Sequence, residues 1–327
     1  MATKAKHIKW GIIGLGKIAH KFAEDLKTVS NCELYAVASR SQEKAEAFAT
    51  LYKAKNAYNS YTQLADDPDI DAVYIATPHA FHKEHSLLCL NKGIAVLCEK
   101  PFAMNLEQVS EMISVAKANK VLLMEALWTA FLPHFQYTLK ILEKKEFGDI
   151  TSLEAVFGFS RPFDDNSRLF KKSLGGGSLL DIGIYPIFAA LSILGLPETI
   201  EAQATYFENG ADASCTMVFY YKNGVKAHLK STLLEDTPTK ATIHCQQGIL
   251  TLNTRFHEPT SITIASKNRN ETIDFSSETF GYNYEIEHFN QLLRDHKTES
   301  DIMTFEFSRK LIALLDKVRA EIGLKYQ

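Results

Sequence analysis

Over the first 125 residues, short apolar runs alternate with stretches in which apolar positions recur at helical spacing. HIKWGII over 7–13 reads as a buried strand, and an amphipathic helix follows to about Thr28, with Ile18, Phe22 and Leu26 at helical spacing. ELYAVA over 33–38 is a second strand. Helix 42–53, an edge strand at Ala57-Tyr58 and the segment 61–65 come next, stopped by Asp66-Asp67-Pro68. The series continues with strand 70–76, helix 82–92, strand 94–98, helix 105–119 (N-cap Asn105) and strand 121–124. This alternation predicts a doubly wound parallel α/β sheet over residues 1–124.

Beyond Glu125 the pattern changes. Helices are expected at 133–144 and 178–194, a long strand at 150–159 and a polar loop at 163–172. Strands then follow at 198–207, 213–221, 225–234, 239–245, 249–253 and 260–265, with Asn223-Gly224 as a two-residue hairpin turn. Helices 283–294 and 302–321 close the chain. Residues 125–327 are therefore expected to form an α+β domain on a large, mostly antiparallel, open-faced sheet.

Composition adds exclusions. A formal charge of −3 gives no basic field for nucleic acid, and no run of 18 apolar residues predicts a membrane span. The polar first nine residues predict no secretory leader. Five scattered cysteines without a C-x-x-C fit free thiols in a reducing compartment, the cytoplasm.

Candidate chemistry sits at strand ends. Gly14-Leu-Gly16-Lys17-Ile18-Ala19 is G-x-G-x-x-A between a strand and a helix. Gly14 permits the tight turn, Gly16 lets backbone approach a pyrophosphate, and Ala19 allows close packing. At the end of the second strand, where NAD binders carry an acid for the ribose, stands Ser39-Arg40-Ser41. Arg40 can pair with a 2′-phosphate, which favours NADP over NAD; alternatively a serine caps the next helix. Thr77, Pro78 and His82 line the next strand mouth or cap its helix. His79, His82 and His85 only partly share a helical face, and no metal is expected. IAVLCEK ends in Glu99 and Lys100, a charge costly at a buried strand end unless it is used. In the second half, Asp181 and Tyr185 are four apart on one predicted helical face. Hydride transfer from an alcohol needs a group to carry the hydroxyl proton. A free tyrosine, with a pKa of about 10, is a poor base unless an ammonium favours its phenolate.

GIIGLGKIA, ATPHAFH, CEKP and GGGSLLDIGIY together resemble the glucose–fructose oxidoreductase/inositol dehydrogenase (Gfo/Idh/MocA) family. Within it, MEALWT followed by FLP, and Tyr at 185, resemble the dihydrodiol and NADP-dependent D-xylose dehydrogenase branch. The resemblance implies a Rossmann domain, then an open-faced sheet domain that pairs into homodimers. It implies an NADP(H)-dependent oxidoreductase acting on a sugar or cyclic trans-diol. Lys100 and Tyr185 would be the acid/base pair, with Asp181 alongside, and Glu99, Lys100 and Trp128 would lie by the cofactor. Trp128, Phe157, Arg161 and Phe280 are pocket-wall candidates, and Ala130 stands where many relatives carry Arg. Other carbonyl reductases (anhydrofructose or bilin type) and a non-enzymatic dinucleotide sensor share the fold.

Overall fold

Eleven elements alternate through the first part of the computed structural model, which describes residues 6–326. They are β1 (Ile8–Ile13), α1 (Lys17–Leu26), β2 (Cys32–Ala38), α2 (Gln42–Tyr52), β3 (Asn56–Tyr58) and α3 (Tyr61–Ala65). Then come β4 (Ala72–Ile75), α4 (His82–Leu90), β5 (Ala95–Glu99), α5 (Leu106–Asn119) and β6 (Leu123–Ala126). The sheet is wholly parallel in the order β3-β2-β1-β4-β5-β6. That is the dinucleotide-binding order, with its switch point between β1 and β4. The strands are apolar because helices cover both faces; β4 and β5 are buried at every position. Ile18 departs from the expected inward stripe of α1, being 38% exposed.

The chain divides into two units: Met1–Trp128 with Glu278–Arg309, and Thr129–Ser277 with Lys310–Gln327. The expected division, 1–124 and 125–327, differs in two respects: the first unit runs on to Trp128, and Glu278–Arg309 returns to it. The cause of the return lies on α8 (Tyr282–Arg294), whose Tyr282, Ile286 and Phe289 are buried. Phe289 packs on Trp10 at 5.1 Å between ring centroids, and Trp10 Nε1 donates to Asn290 Oδ1 at 3.0 Å. Helical periodicity announces a buried face but not its partner.

The second unit carries α6 (Pro133–Glu143), β7 (Ile150–Gly158), α7 (Ile184–Leu194), β8 (Thr199–Tyr206), β9 (Asp212–Tyr220) and β10 (Lys226–Thr232). It continues with β11 (Ala241–Cys245), β12 (Gly248–Leu252), β13 (Ser261–Ser266) and β14 (Asn270–Asp274). Its eight strands run β14-β13-β12-β11-β7-β10-β9-β8, antiparallel except for β7 with β10. Strand β14 escaped the pattern because NETID is a polar, mostly exposed edge. The Asn223-Gly224 hairpin holds three residues in its loop: Tyr221 N bonds Val225 O at 3.0 Å, and Gly224 takes φ +79°. α9 (Phe305–Glu321) spans the division between units. The stretch Lys172–Leu194 is long and apolar enough to cross a membrane, but 78% of its apolar window is buried inside the protein, the position of a core helix.

Candidate active site

The glycine turn comes first. Gly14 has φ +93°, and a Cβ there would lie 2.8 Å from the Ala76 carbonyl carbon and oxygen. Only glycine brings β1's end this close to the residue after β4. Gly16 caps α1 in extended backbone, with open space where its Cβ would be. Ala19 is buried, Lys17 and Ile18 are exposed, and the first turn of α1 carries no acid. The helix N–H groups are thus accessible to an anion, the arrangement a pyrophosphate uses. The residues present fit a dinucleotide.

At the ends of β2 and β4 opens a cavity of about 630 Å³. Arg40, Ser60, Tyr61, Thr77, Pro78 and His85 are among its lining residues. Ser41 Oγ accepts from Lys44 N at 3.4 Å and caps α2, so one of the two serines is engaged locally. Ser39 Oγ accepts from Ser41 N at 3.3 Å. His85 hydrogen-bonds Thr77 Oγ1 at 3.0 Å, and burial, with Arg40 nearby, holds its pKa below the usual 6.5. Ser60 and Tyr61, just after an edge strand, carry no periodicity that marks them as lining groups, and His85 on α4 stands out in the sequence only as one of three histidines.

Lys100 stands on a turn tied at four points. Glu99 accepts from the Lys100 amide at 3.1 Å through Oε2 and from the Tyr74 hydroxyl through Oε1. His82 hydrogen-bonds Pro101 O through Nδ1 and Thr77 O through Nε2, both at 2.8 Å. Glu125 accepts from the Phe102 amide at 3.0 Å. His82 is fully buried, and its two hydrogen bonds link β4's end to the lysine turn. Trp128 is 4% exposed and stacks on Tyr282 at 4.5 Å. Glu125 is also buried, and burial raises its pKa to about 7. Neither Tyr74 nor Glu125 was singled out in the sequence; each sits inside an apolar strand and reads there as packing.

In the second unit, Leu179–Gly183 forms a π-helical turn, and the α-helix begins only at Ile184. The expected single helix 178–194 is therefore split, and Asp181 and Tyr185 do not stand at plain α spacing. π-Turns widen a helix locally and recur at functional sites. Asp181 accepts from Arg168 Nη2 at 3.2 Å. Tyr185 is 5% exposed; its ring lies 5.6 Å from Phe157 and 4.9 Å from His257. His257 is held by Thr129, whose Oγ1 donates to its carbonyl at 2.9 Å. Beneath the turn, Asp212 accepts from Ser178 Oγ at 2.8 Å and Leu179 N at 2.6 Å, and burial raises its pKa to about 6. Of the other wall candidates, Arg161 lies over the Phe159 ring and Phe280 under Lys21 Nζ, while Ala130 is buried. Arg168 and His257 were missed: one lies in a polar loop, the other between strands.

Residues 8–127 match the model of the "Oxidoreductase family, NAD-binding Rossmann fold", GFO_IDH_MocA, and residues 135–251 match the "GFO/IDH/MocA C-terminal domain". The chain belongs to the GFO/IDH/MocA family. This family member is 36% identical to the trans-1,2-dihydrobenzene-1,2-diol dehydrogenase of Xenopus tropicalis, over 97% of this chain and 99% of that one. It is 35% identical to scyllo-inositol 2-dehydrogenase (NADP(+)) IolU of Bacillus subtilis, over 98% of both. The solved 3-ketoreductase KijD10 from Actinomadura kijaniata, in complex with NADP and TDP-benzene, superposes with a TM-score of 0.87 at 26% identity, over 96% of this chain and 98% of that one. The family and dihydrodiol-dehydrogenase resemblance carried by GIIGLGKIA, CEKP and GGGSLLDIGIY holds, and the family member is an NAD(P)-dependent oxidoreductase.

Proposed function

We propose that this protein oxidises a secondary alcohol of a sugar, inositol or cyclic trans-diol with NADP⁺, or runs the reverse reduction. The observation that carries the cofactor choice is the cavity at the ends of β2 and β4, where Arg40 stands at the position of the NAD-type acid. The names of the dihydrodiol and inositol dehydrogenase relatives support the substrate class. The 3-ketoreductase likeness favours the reductive direction as a second reading.

The glycine turn and α1 N-terminus would hold the pyrophosphate, and Arg40 the 2′-phosphate. When bound, the nicotinamide accepts a hydride from the alcohol carbon, or returns it to the carbonyl. Tyr185 takes the hydroxyl proton as the carbon–oxygen double bond forms, and gives it back in reduction. Lys100 supplies the positive charge that favours the phenolate, as the family resemblance implies. Asp181 orients the substrate by accepting from a hydroxyl. Hydrogen bonds fix the backbone of the Lys100 turn, and Tyr185 lies buried against Phe157 and His257, so less ordering remains to be done at the moment of reaction.

A screen of NADP⁺ and NAD⁺ reduction over pentoses, hexoses, myo-inositol and trans-dihydrodiols tests the reading. Lys100→Met and Tyr185→Phe should each lower turnover by roughly 10²–10⁴-fold, the range for a lost acid/base. NADPH binding, followed by its fluorescence, should persist in both. Near-normal turnover in both variants refutes the assignment.

A further inference from the structure

Arg168 reaches Asp181 from a loop that is held in place rather than trailing in solvent. Its turn is closed by Phe170 N and Lys171 N bonding Ser167 O, each at 3.0 Å. The Phe170 side chain next to it is buried, with its ring 5.4 Å from Phe163 and 5.1 Å from Phe207. The triple glycine grips the same turn: Gly176 N bonds Lys171 O at 3.0 Å and Gly177 N bonds Leu169 O at 2.9 Å. A Cβ on Gly176 would meet Lys171 N at 2.6 Å and Arg168 O at 2.8 Å. The glycines therefore let the backbone under Arg168 lie directly against the start of the helix that bears Asp181. The side chains differ in exposure, 42% for Arg168 and 12% for Asp181. The guanidinium thus faces water while the carboxylate is largely withdrawn from it.

An ionised carboxylate only accepts hydrogen bonds, and it has about four acceptor directions. Arg168 Nη2 donates to one oxygen of Asp181, Oδ1. A guanidinium beside a carboxylate keeps it ionised and fixes its orientation. A carboxylate held so, on the turn that leads into Tyr185, suits a substrate that brings a hydroxyl besides the one whose proton Tyr185 carries. We propose that Arg168 is a positioning residue that holds Asp181 as the acceptor for a second substrate hydroxyl, so that the protein selects alcohols with a hydroxyl beside the reacting one. The proposal rests on the reading of Tyr185 as the proton carrier.

The test compares trans-1,2-cyclohexanediol with cyclohexanol, using wild type, Arg168→Met and Arg168→Lys with NADP⁺. Melting is followed alongside: because the Asp181 carboxylate is largely buried, Arg168→Met should lower the melting temperature, and Arg168→Lys, which keeps the charge, should lower it less. In Arg168→Met, KM for the diol should rise roughly ten- to a hundredfold with kcat little changed, the size of a lost charged hydrogen bond. The kcat/KM for cyclohexanol should stay within about threefold. Arg168→Lys, which keeps the charge but not the planar fork, should recover part of the loss. An equal fall on both substrates, or no change on either, overturns the proposal. Calorimetric binding of the diol is read in parallel. Binding weakened by Arg168→Met while wild-type turnover is absent keeps the role of Arg168 and faults the proton role of Tyr185. Equal binding to both proteins overturns the role of Arg168 whatever the turnover.

Discussion

Replacing Glu125 by Gln should flatten the pH dependence of the first unit's stability. The Glu125 carboxyl is fully buried. One oxygen accepts from the Phe102 amide, Ser308 lies near enough to favour its charge, and Glu99 near enough to repel it. Its other oxygen, Oε2, is buried with no hydrogen-bond partner among the described residues. Burial is the leading cause that takes its pKa from 4.5 to about 7. The folded state thus holds this proton more tightly than the unfolded chain does. Stability is complete below about pH 4.5, falls as pH rises and levels off above about 7. A rise from 4.5 to about 7 is worth about 3 kcal/mol, most of which falls between pH 5 and 8.5. Glutamine keeps the acceptor for Phe102 and does not titrate. Whatever fixed cost its amide brings to the Oε2 side cancels when two pH values are compared. Both tryptophans of the chain, Trp10 and Trp128, lie in the first unit, so fluorescence-detected urea unfolding reports that unit. Wild type should lose about 2–3 kcal/mol relative to Glu125→Gln between pH 5 and 8.5. Parallel curves would mean that Phe102 and Ser308 suffice to hold the charge, and the desolvation argument would fail.

Two further outcomes follow from the site. Arg40→Ala should lower the ratio of kcat/KM for NADP⁺ over NAD⁺ by roughly ten- to a hundredfold, the worth of a charge-assisted phosphate contact; an unchanged ratio in steady-state kinetics removes Arg40 from the 2′-phosphate. Gly177→Ala should destabilise the second unit by several kcal/mol, because its φ is +127° and the new Cβ would fall 2.1 Å from Asp212 Oδ1; a melting temperature within about 2 °C of wild type in calorimetry would contradict this packing.

The parallel sheet was legible because buried runs and helical spacing report burial directly, and the helices on both faces make each strand wholly apolar. The glycine turn was legible for a related reason: Gly14 is needed for backbone shape, and shape restricts residue type. What escaped was of another kind. The π-turn at Leu179–Gly183 changes hydrogen-bond register without changing residue type. Arg168 and His257 gain meaning only from what the fold brings to them. Glu125 and Tyr74 were hidden by the apolar strands around them. The return of α8 was hidden because its stripe of Tyr282, Ile286 and Phe289 would suit any apolar surface.

That return has a consequence for synthesis on the ribosome. The Trp10 indole waits for Asn290, 280 residues later. At about 5–20 residues per second, that is roughly a quarter of a minute to a minute of translation. Throughout it, the Trp10 and Phe22 surface that α8 covers stays open. The nucleotide-binding half, made first, is thus among the last parts to close, and the nascent chain carries an aromatic patch of the kind that chaperones shield.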